Sequence, residues 1–234
     1  MGQVQQIKLA MIFVGGILAW VGYNEFRVSD GASADPQPVE LAEIEAGLVP
    51  DNTHLEIAPH WRMYQGLVFR YEVEVWENQD DVTDDTKIQY SYYPVLSGSH
   101  PQMRQIANLK RLYNGLGEVP EDVLPTPDDF ALLVKTTRYK TVASLPEATW
   151  AEGESVRGLI VNRIYELKDD ELELIRQSFP GVSLDRLLVL EEGRTPATAR
   201  KAFAMMGGGA GVGLLGIGWL FVRSRDEALA KLLE

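Results

Sequence analysis

The side chains best suited to metal chemistry are four aspartates and a pair of histidines. The aspartates, Asp80, Asp81, Asp84 and Asp85, fall within one short segment, and carboxylate oxygens are the ligands that calcium prefers. Their spacing lacks the alternating ligands and the central glycine of an EF-hand. A calcium site in residues 80–85 and a solvated acidic loop therefore both stay open as interpretations.

Histidine supplies the neutral nitrogen ligands of the chain. His54 and His60 are six positions apart in a segment that we interpret as extended, where both imidazoles would share a face. Two imidazoles with a carboxylate can hold a transition metal, but histidines at the surface or at helix caps are commoner. We therefore predict no metal ligands and no cofactor.

Signatures of covalent catalysis are missing from the sequence. The chain has no cysteine, which excludes disulfides, thiolate nucleophiles and Cys-ligated zinc. No serine lies in a Gly-x-Ser-x-Gly elbow. The glycines of residues 207–213 lie inside an apolar run and lack the Lys-Ser/Thr pair of a phosphate loop. We predict that the chain is not an enzyme.

Two aromatic side chains are candidates for a protein interface. Residues 67–76 and 88–93 alternate in the period-two pattern of β-strands, and Trp76 and Tyr93 fall on the face that also carries charged residues. Exposed aromatic side chains of this kind suit a protein–protein interface. The alternative is that a helix covers this face and buries both rings.

The elements that position these residues mix strands and helices. Further strand patterns occupy residues 130–136, 156–164 and 187–190, and helical patterns occupy residues 39–47, 99–115 and 168–179. Gly47 should end the first helix in a left-handed cap, Ser99 should cap the second, and Pro94 should end the strand before it. This order predicts an α+β domain with helices packed on a mostly antiparallel sheet.

Apolar segments near the two ends of the chain have the length of membrane-spanning helices. We predict transmembrane helices at residues 7–23 and 202–222. The remaining parts are a linker at residues 24–38, a soluble domain at residues 39–196 and a short tail at residues 223–234. A signal peptide is the alternative for the first segment, but the small-residue site at 32–34 lies far beyond the apolar run.

Small residues inside these segments predict that helices pack against each other. Gly15 and Ala19 share one helix face in the first segment, as do two overlapping pairs in the second, Gly207 with Gly211 and Gly209 with Gly213. Four-residue spacing of small side chains lets another helix come close, within one chain or between copies. The alternative is that glycine is simply frequent in membrane helices.

The acidic charge of the domain and the predicted membrane helices indicate which kinds of partner the chain can bind. Residues 24–201 carry 18 Lys and Arg against 31 Asp and Glu, a net charge of −13, which repels nucleic-acid phosphates. The expected partners are a membrane and other membrane proteins or copies of the chain, with no nucleic acid. Because long segments translocate largely regardless of charge, the basic tails favour both termini in the cytoplasm and the domain outside it, in a bacterial inner membrane.

Two segments carry a resemblance to known proteins. Residues 156–167 (VRGLIVNRIYEL) and 179–196 (FPGVSLDRLLVLEEGRTP) resemble a group of bacterial envelope proteins of unassigned function, with one soluble domain between two transmembrane helices. The layout, with residues 40–47 (ELAEIEAG), also resembles the intermembrane domain of the mitochondrial ubiquitin ligase. The sequence carries no zinc-binding RING, so the second resemblance implies no ligase activity, and neither implies a functional residue.

These patterns predict a membrane-anchored interaction or scaffold protein, an accessory subunit of a membrane complex. Paired anchors, small-residue helix faces and a domain without catalytic signatures favour this function. One alternative is a membrane-tethered metal-dependent hydrolase that uses the acidic loop or the histidines. Another is a lipid or small-ligand binding domain, which would show itself as an apolar pocket.

Overall fold

A computed structural model describes residues 3–65, 67–72, 82–113, 119, 123–125, 129–162 and 167–232. The chain divides into two compact units. One joins Met1–Asp30 to Pro196–Glu234, and the other is Gly31–Thr195.

The first unit is a pair of long helices, α1 (Gln3–Ser29) and α5 (Ala199–Leu232). Their apolar stretches run from Gln5 to Val28 (24 residues) and from Arg200 to Phe221 (22 residues). At 1.5 Å per residue these stretches are about 36 and 33 Å long, against about 30 Å for the hydrocarbon core of a bilayer. Both helices are therefore long and apolar enough to cross a membrane.

The second unit is built on a curled sheet of nine strands, counted over the described residues. The strands are β1 (Gln37–Val39), β2 (His54–Ile57), β3 (His60–Met63), β4 (Val68–Tyr71), β5 (Ile88–Leu96), β6 (Leu132–Thr136), β7 (Trp150–Gly153), β8 (Val156–Ile160) and β9 (Leu188–Glu192). Their spatial order is β1-β2-β8-β9-β6-β5-β3-β7, and β4 also pairs with β5.

Two pairs of neighbouring strands run parallel, which corrects one part of the predicted fold class. The α+β class is confirmed, but the sheet is mixed rather than mostly antiparallel, because β1 pairs with β2 and β6 pairs with β9 in parallel. Parallel neighbours need a crossover connection. Helix α2 (Leu41–Glu45) lies in the first crossover, and helix α4 (Asp169–Ser178) lies in the second.

The centre of the sheet is buried on both faces. Leu132, Leu133 and Val134 are consecutive in β6 and all fully buried, as are Val189 and Leu190 in β9. Strands covered on both faces read as continuous apolar runs rather than as alternating ones. The core therefore extends on both sides of these strands.

The predicted helix caps are partly confirmed. Gly47 has φ 99°, in the left-handed region, and follows the end of α2 as expected. Helix α3 (Pro101–Leu112) is capped by His100 rather than Ser99, because the His100 side chain accepts a hydrogen bond from the Gln102 amide. The cap lies one residue later than predicted because the Pro101 ring already occupies the first helical position.

Pro94 does not end β5, contrary to expectation. The strand continues to Leu96, and Pro94 pairs with Leu133 of β6. On the other side of β5, β4 pairs as far as Tyr92 and β3 begins opposite Val95. Pro94 lies at this change of partner, where the missing N–H breaks no ladder on that side.

Candidate functional site

The contact between α1 and α5 is built on positions that recur every seven residues. The buried positions with this spacing are Lys8, Gly15 and Gly22 in α1, and Ala202, Gly209 and Gly216 in α5. A seven-residue repeat keeps one face of a helix turned toward its partner and favours a left-handed crossing. In this pair the repeat consists mainly of glycine and alanine instead of leucine.

The backbones at this contact are too close for larger side chains. A Cβ atom added at Gly15 would lie 2.5 Å from the Gly213 nitrogen and 2.6 Å from the Gly209 oxygen, and one added at Gly22 would lie 2.6 Å from the Met206 nitrogen. Each neighbour is backbone and cannot rotate away. Such close approach maximises dispersion contacts, which hold helices together where no hydrophobic effect acts between them.

The structure separates the predicted packing residues into two groups. Gly15, Ala19, Gly209 and Gly213 lie at the contact between the helices, since Cβ atoms built at Gly15 and Gly209 would meet the Gly213 and Ala19 backbones. Gly207 and Gly211 have no atom within 4 Å of a Cβ position. The Cβ position of Gly213 is equally open, and Gly213 meets α1 only through its backbone. Packing of Gly207 and Gly211 against a further helix stays a prediction.

Lys8 was not predicted as a packing residue, yet it is one of the most buried residues of the helix pair. Its side chain is 1% exposed, and its ammonium group donates a 2.9 Å hydrogen bond to the Trp219 carbonyl. The same ammonium lies 5.3 Å from the centre of the Trp219 ring, within the range of a cation–π interaction. The seven-residue spacing from Lys8 to Gly15 is the signal that sequence analysis missed.

The surface of the helix pair outside this contact is apolar. Within the most apolar 18-residue window of each helix, only 17% of the residues in α1 and 11% of those in α5 are buried. Large side chains exposed on the two helices are Ile7, Leu9, Phe13, Val14, Ile17, Leu18, Trp20, Tyr23, Phe203, Leu214, Leu215, Ile217, Trp219 and Phe221. A helix of a water-soluble protein would bury most of such a surface.

The two candidate metal-ligating histidines lie apart and already have partners. His54 in β2 donates from Nδ1 to the Ser33 carbonyl at 2.9 Å, and His60 in β3 accepts at Nε2 from Arg62 Nε at 3.3 Å. Strands β2 and β3 are not neighbours in the sheet. Within the described ranges, no group of three His, Asp or Glu side chains could hold a metal.

The acidic segment is described only in part. Asp80 and Asp81 lie outside the described residues, and Asp84 and Asp85 are exposed. The Asp84 carbonyl accepts a hydrogen bond from the Ala143 amide at 2.9 Å, which joins this loop to the short 3-10 helix Val142–Ser144. Whether residues 80–85 bind calcium stays an open question.

His60 occupies a tightly enclosed position between β3 and β7. It is 1% exposed, and a Cβ atom at Gly153 on β7 would collide with its imidazole ring. Burial, followed by the nearby Arg62 guanidinium, lowers the pKa of His60 from 6.5 to about 4, while the Ile57 backbone acts in the opposite direction. The imidazole is therefore neutral at physiological pH.

Tyr93 is a core residue, so of the two interpretations of this face the exposed interface does not apply to Tyr93. It is 1% exposed, its ring lies 5.4 Å from the Tyr64 ring in an edge-on arrangement, and burial raises the pKa of its hydroxyl. The alternation that placed Tyr93 outside assumed one solvated face, whereas β5 is covered on both. Trp76, the other interface candidate, lies outside the described residues.

A buried ion pair on one face of the sheet was not foreseen. Glu171, in the first turn of α4, accepts from Lys135 Nζ at 2.6 Å and from the Tyr92 hydroxyl at 2.9 Å. Lys135 also lies 4.2 Å from the Tyr90 ring centre. Burial would raise the pKa of Glu171, but Lys135 and the Tyr92 hydroxyl outweigh it, so the pKa lies below its usual value.

Comparisons with known proteins give no relative for this arrangement. No protein-family model matches the chain, and no curated protein or solved structure matches it.

Proposed function

We propose that this chain is an integral membrane protein in which α1 and α5 anchor the acidic α+β domain. Its proposed role is that of an interaction or scaffold protein, an accessory subunit of a membrane complex. The observation that carries the proposal is the outer surface of the helix pair, which exposes large aliphatic and aromatic side chains along both apolar stretches. Hydrocarbon is the solvent that suits such a surface.

The fit between the two helices supports a retained α1 rather than a cleaved leader. Gly15 and Gly22 of α1 meet Gly209 and Met206 of α5 at backbone distance. A leader that is removed needs no matching face on a helix at the opposite end of the chain. The hydrogen bond from Lys8 to the Trp219 carbonyl supports the same assignment.

Association with other membrane helices is supported by an apolar groove on the outer surface of the helix pair, lined mainly by α5. This groove of about 710 Å³ is lined by Met11, Gly211, Leu214, Leu215, Gly218 and Trp219. Exposed glycines cost a helix stability relative to alanine, and close packing of another helix can offset that cost. The proposed partners are other membrane proteins or copies of the chain.

The proposal is tested by extraction and cross-linking of the full chain. We expect the protein to stay in the membrane pellet at alkaline pH, to dissolve only with detergent, and to cross-link in native membranes to a defined partner or to itself. Gly211→Ile, which fills the outer groove, should weaken this cross-link, whereas Gly16→Ile, at an equally open position on α1, should not. Recovery in the soluble fraction, or a purely monomeric protein without cross-links, contradicts the proposal.

A further inference from the structure

A polar cleft lies at the end of the sheet where β5 and β8 finish and β6 and β9 begin. Its volume is about 280 Å³, and its lining includes Glu45, Ser99, His100, Asp129, Ser183 and Arg186. A second cleft of about 380 Å³ lies beside it and shares Ala131 and Arg186. The two together fall within the range of about 300–1,000 Å³ that is typical of small-ligand sites.

The polar cleft brings opposite charges together without pairing them. Arg186 and Asp129 are both exposed in it, and neither takes part in a salt bridge within the described part of the chain. Glu45 supplies a second carboxylate, held in place because it accepts from the Ser97 amide at 2.8 Å and from the Ser97 hydroxyl at 2.5 Å. The cleft thus offers one guanidinium and two carboxylates.

His100 adds a fixed donor to the same cleft. The residue is 8% exposed, and its Nδ1 accepts the Gln102 amide at the start of α3. Because Nδ1 is the acceptor of this bond, the N–H of the ring is at Nε2. The amino end of the twelve-residue helix α3 contributes partial positive charge on the same side. His100 and Arg186 therefore form the anion-binding part of the cleft.

The second cleft combines an apolar wall with polar groups, which include Asn162 and Asp185 beside Arg186. Its lining includes Ile44, Leu48, Val49, Leu184 and Leu187. Leu48 and Val49 are large apolar residues with exposed side chains, so a ligand could cover them. Since Arg186 lines both clefts, a ligand that pairs with Arg186 can place an apolar chain directly on this surface.

We propose that the two clefts form one binding site for a small amphiphilic zwitterion. The anionic group of the ligand pairs with Arg186 and the His100 Nε2–H, its ammonium group pairs with Asp129 and Glu45, and its apolar chain covers Leu48 and Val49. An α-amino acid or short peptide with a large apolar side chain has this chemistry, and so does the headgroup of an aminophospholipid. This binding activity goes beyond the proposed scaffold role and does not depend on it.

The test is a calorimetric titration of the full chain in nanodiscs of phosphatidylcholine. One arm titrates leucine and leucyl-leucine, and the other titrates dihexanoyl phosphatidylethanolamine below its micelle concentration. Acetate and butylamine serve as probes that carry only one of the two charges. The variants are Arg186→Gln and Asp129→Asn, with Arg176→Gln and Asp84→Asn as matched exposed controls outside the clefts.

We expect saturable binding in one arm, with affinity reduced tenfold or more by Arg186→Gln and by Asp129→Asn and unchanged by the two controls. Binding of the peptides alone assigns a free ligand, and binding of the phospholipid alone assigns a lipid headgroup. No binding in either arm at millimolar ligand overturns the proposal. The proposal is also overturned if all four variants bind the ligand with the same affinity. It is overturned as well if acetate or butylamine binds as tightly as the zwitterionic ligand.

Discussion

His60 is a neutral imidazole in a space that Gly153 leaves open. Its pKa is about 4 in the folded chain and 6.5 as a free side chain, so the unfolded chain takes up a proton first as the pH falls. The stability that the neutral form contributes is complete above pH 6.5 and is lost between pH 6.5 and about 4. The protein should therefore begin to lose stability near pH 6.5, above the range in which most carboxylates titrate.

We predict that the free energy of unfolding falls by about 2 to 3 kcal/mol across this range, at 1.36 kcal/mol per unit of pKa difference. Urea denaturation between pH 7 and 4 measures it. The variant His60→Gln should have a flatter pH dependence, even though it is less stable. His54→Gln leaves His60 in place and is the matched control; an unchanged slope in His60→Gln would contradict the assignment.

Glu171 and Lys135 form the buried ion pair that fixes the first turn of α4. Glu171→Gln at pH 7 removes the charge that compensates Lys135, and breaking a buried pair in this way costs about 3 kcal/mol. The double variant Lys135→Met/Glu171→Leu should recover most of the loss, because neither charge remains buried. Thermal and urea denaturation measure both effects.

The control for this pair lies two residues further along α4. Glu173 pairs with Arg176 on the exposed side of the helix, so Glu173→Gln should have little effect on stability. The pKa of Glu171 is lowered in the folded chain, so its contribution to stability is present above the ordinary glutamate value of 4.5 and is lost as the pH falls through the lower folded value. Equal costs for Glu171→Gln and Glu173→Gln would contradict the structural role of Glu171.

At the scale of elements, the helices and strands that could be predicted from the sequence are those with a strong local pattern of residues. Helices α3 and α4 carry a proline at the first position and a cluster of acids in the first turn, respectively, and both were found within two or three residues of their bounds. Strands β1, β2, β3 and β7 have three or four residues and no alternation of burial. Short strands of this kind exist only because a neighbour pairs with them, so local sequence cannot reveal them.

Gly158 shows how a strand can depend on one missing side chain. A Cβ atom at Gly158 in β8 would collide with the Glu191 carbonyl of β9, and it would lie 2.8 Å from the Glu191 carbonyl carbon. We predict that Gly158→Ala destabilises the domain by about 3 kcal/mol, at the upper end of overpacking costs. Gly98→Ala, whose Cβ position is 3.9 Å from the Trp61 ring, is the control in the same denaturation experiment. Equal stability of the two variants would contradict the close strand contact.

The helix pair gives a sharper test, because adjacent glycines differ in environment. A Cβ atom at Gly209 would lie 2.7 Å from the Gly15 oxygen, whereas one at Gly208 would meet nothing within 4 Å. We predict that Gly209→Leu separates α1 from α5 and that Gly208→Leu does not. The bulk added is the same and the positions are neighbours, so only the contact differs.

A disulfide reports the outcome, since the chain has no cysteine of its own. A Cβ atom at residue 216 lies 3.2 Å from the Met11 Cβ, near the spacing of about 3.5–4.5 Å found in disulfides. The pair Met11→Cys/Gly216→Cys should therefore cross-link under mild oxidation in membranes. Gly209→Leu should lower the cross-linked fraction severalfold, and failure of the parent pair to cross-link would contradict the contact.

At the scale of the whole molecule, the division into apolar ends and an acidic middle could be predicted from the sequence, because it depends on composition. The candidate sites could not be predicted in this way. Lys8 looks like a charge in front of an apolar run, and only its seven-residue distance from Gly15 hints that it faces a partner helix. The cleft collects Glu45, His100, Asp129 and Arg186 from four separate segments, and no local pattern links them.

Orientation is the prediction that belongs to the whole chain. We expect the domain outside the cytoplasm and both termini inside it. Ser33→Cys, in the exposed segment that opens the domain, should react with a membrane-impermeant maleimide on intact cells. Ser224→Cys, in the tail, should react only after the membrane is opened. The reverse labelling pattern would contradict the proposed orientation.

The hydrogen bond between Lys8 and Trp219 joins positions that are 211 residues apart in the chain. During synthesis, α1 must therefore form before its partner helix exists. While the ribosome is still making the domain, α1 has no second helix beside it. Its glycine face then has no helix to pack against, and the Lys8 ammonium lacks the Trp219 carbonyl that accepts its hydrogen bond. The contact between the helices therefore forms only after α5 (Ala199–Leu232) has been synthesised.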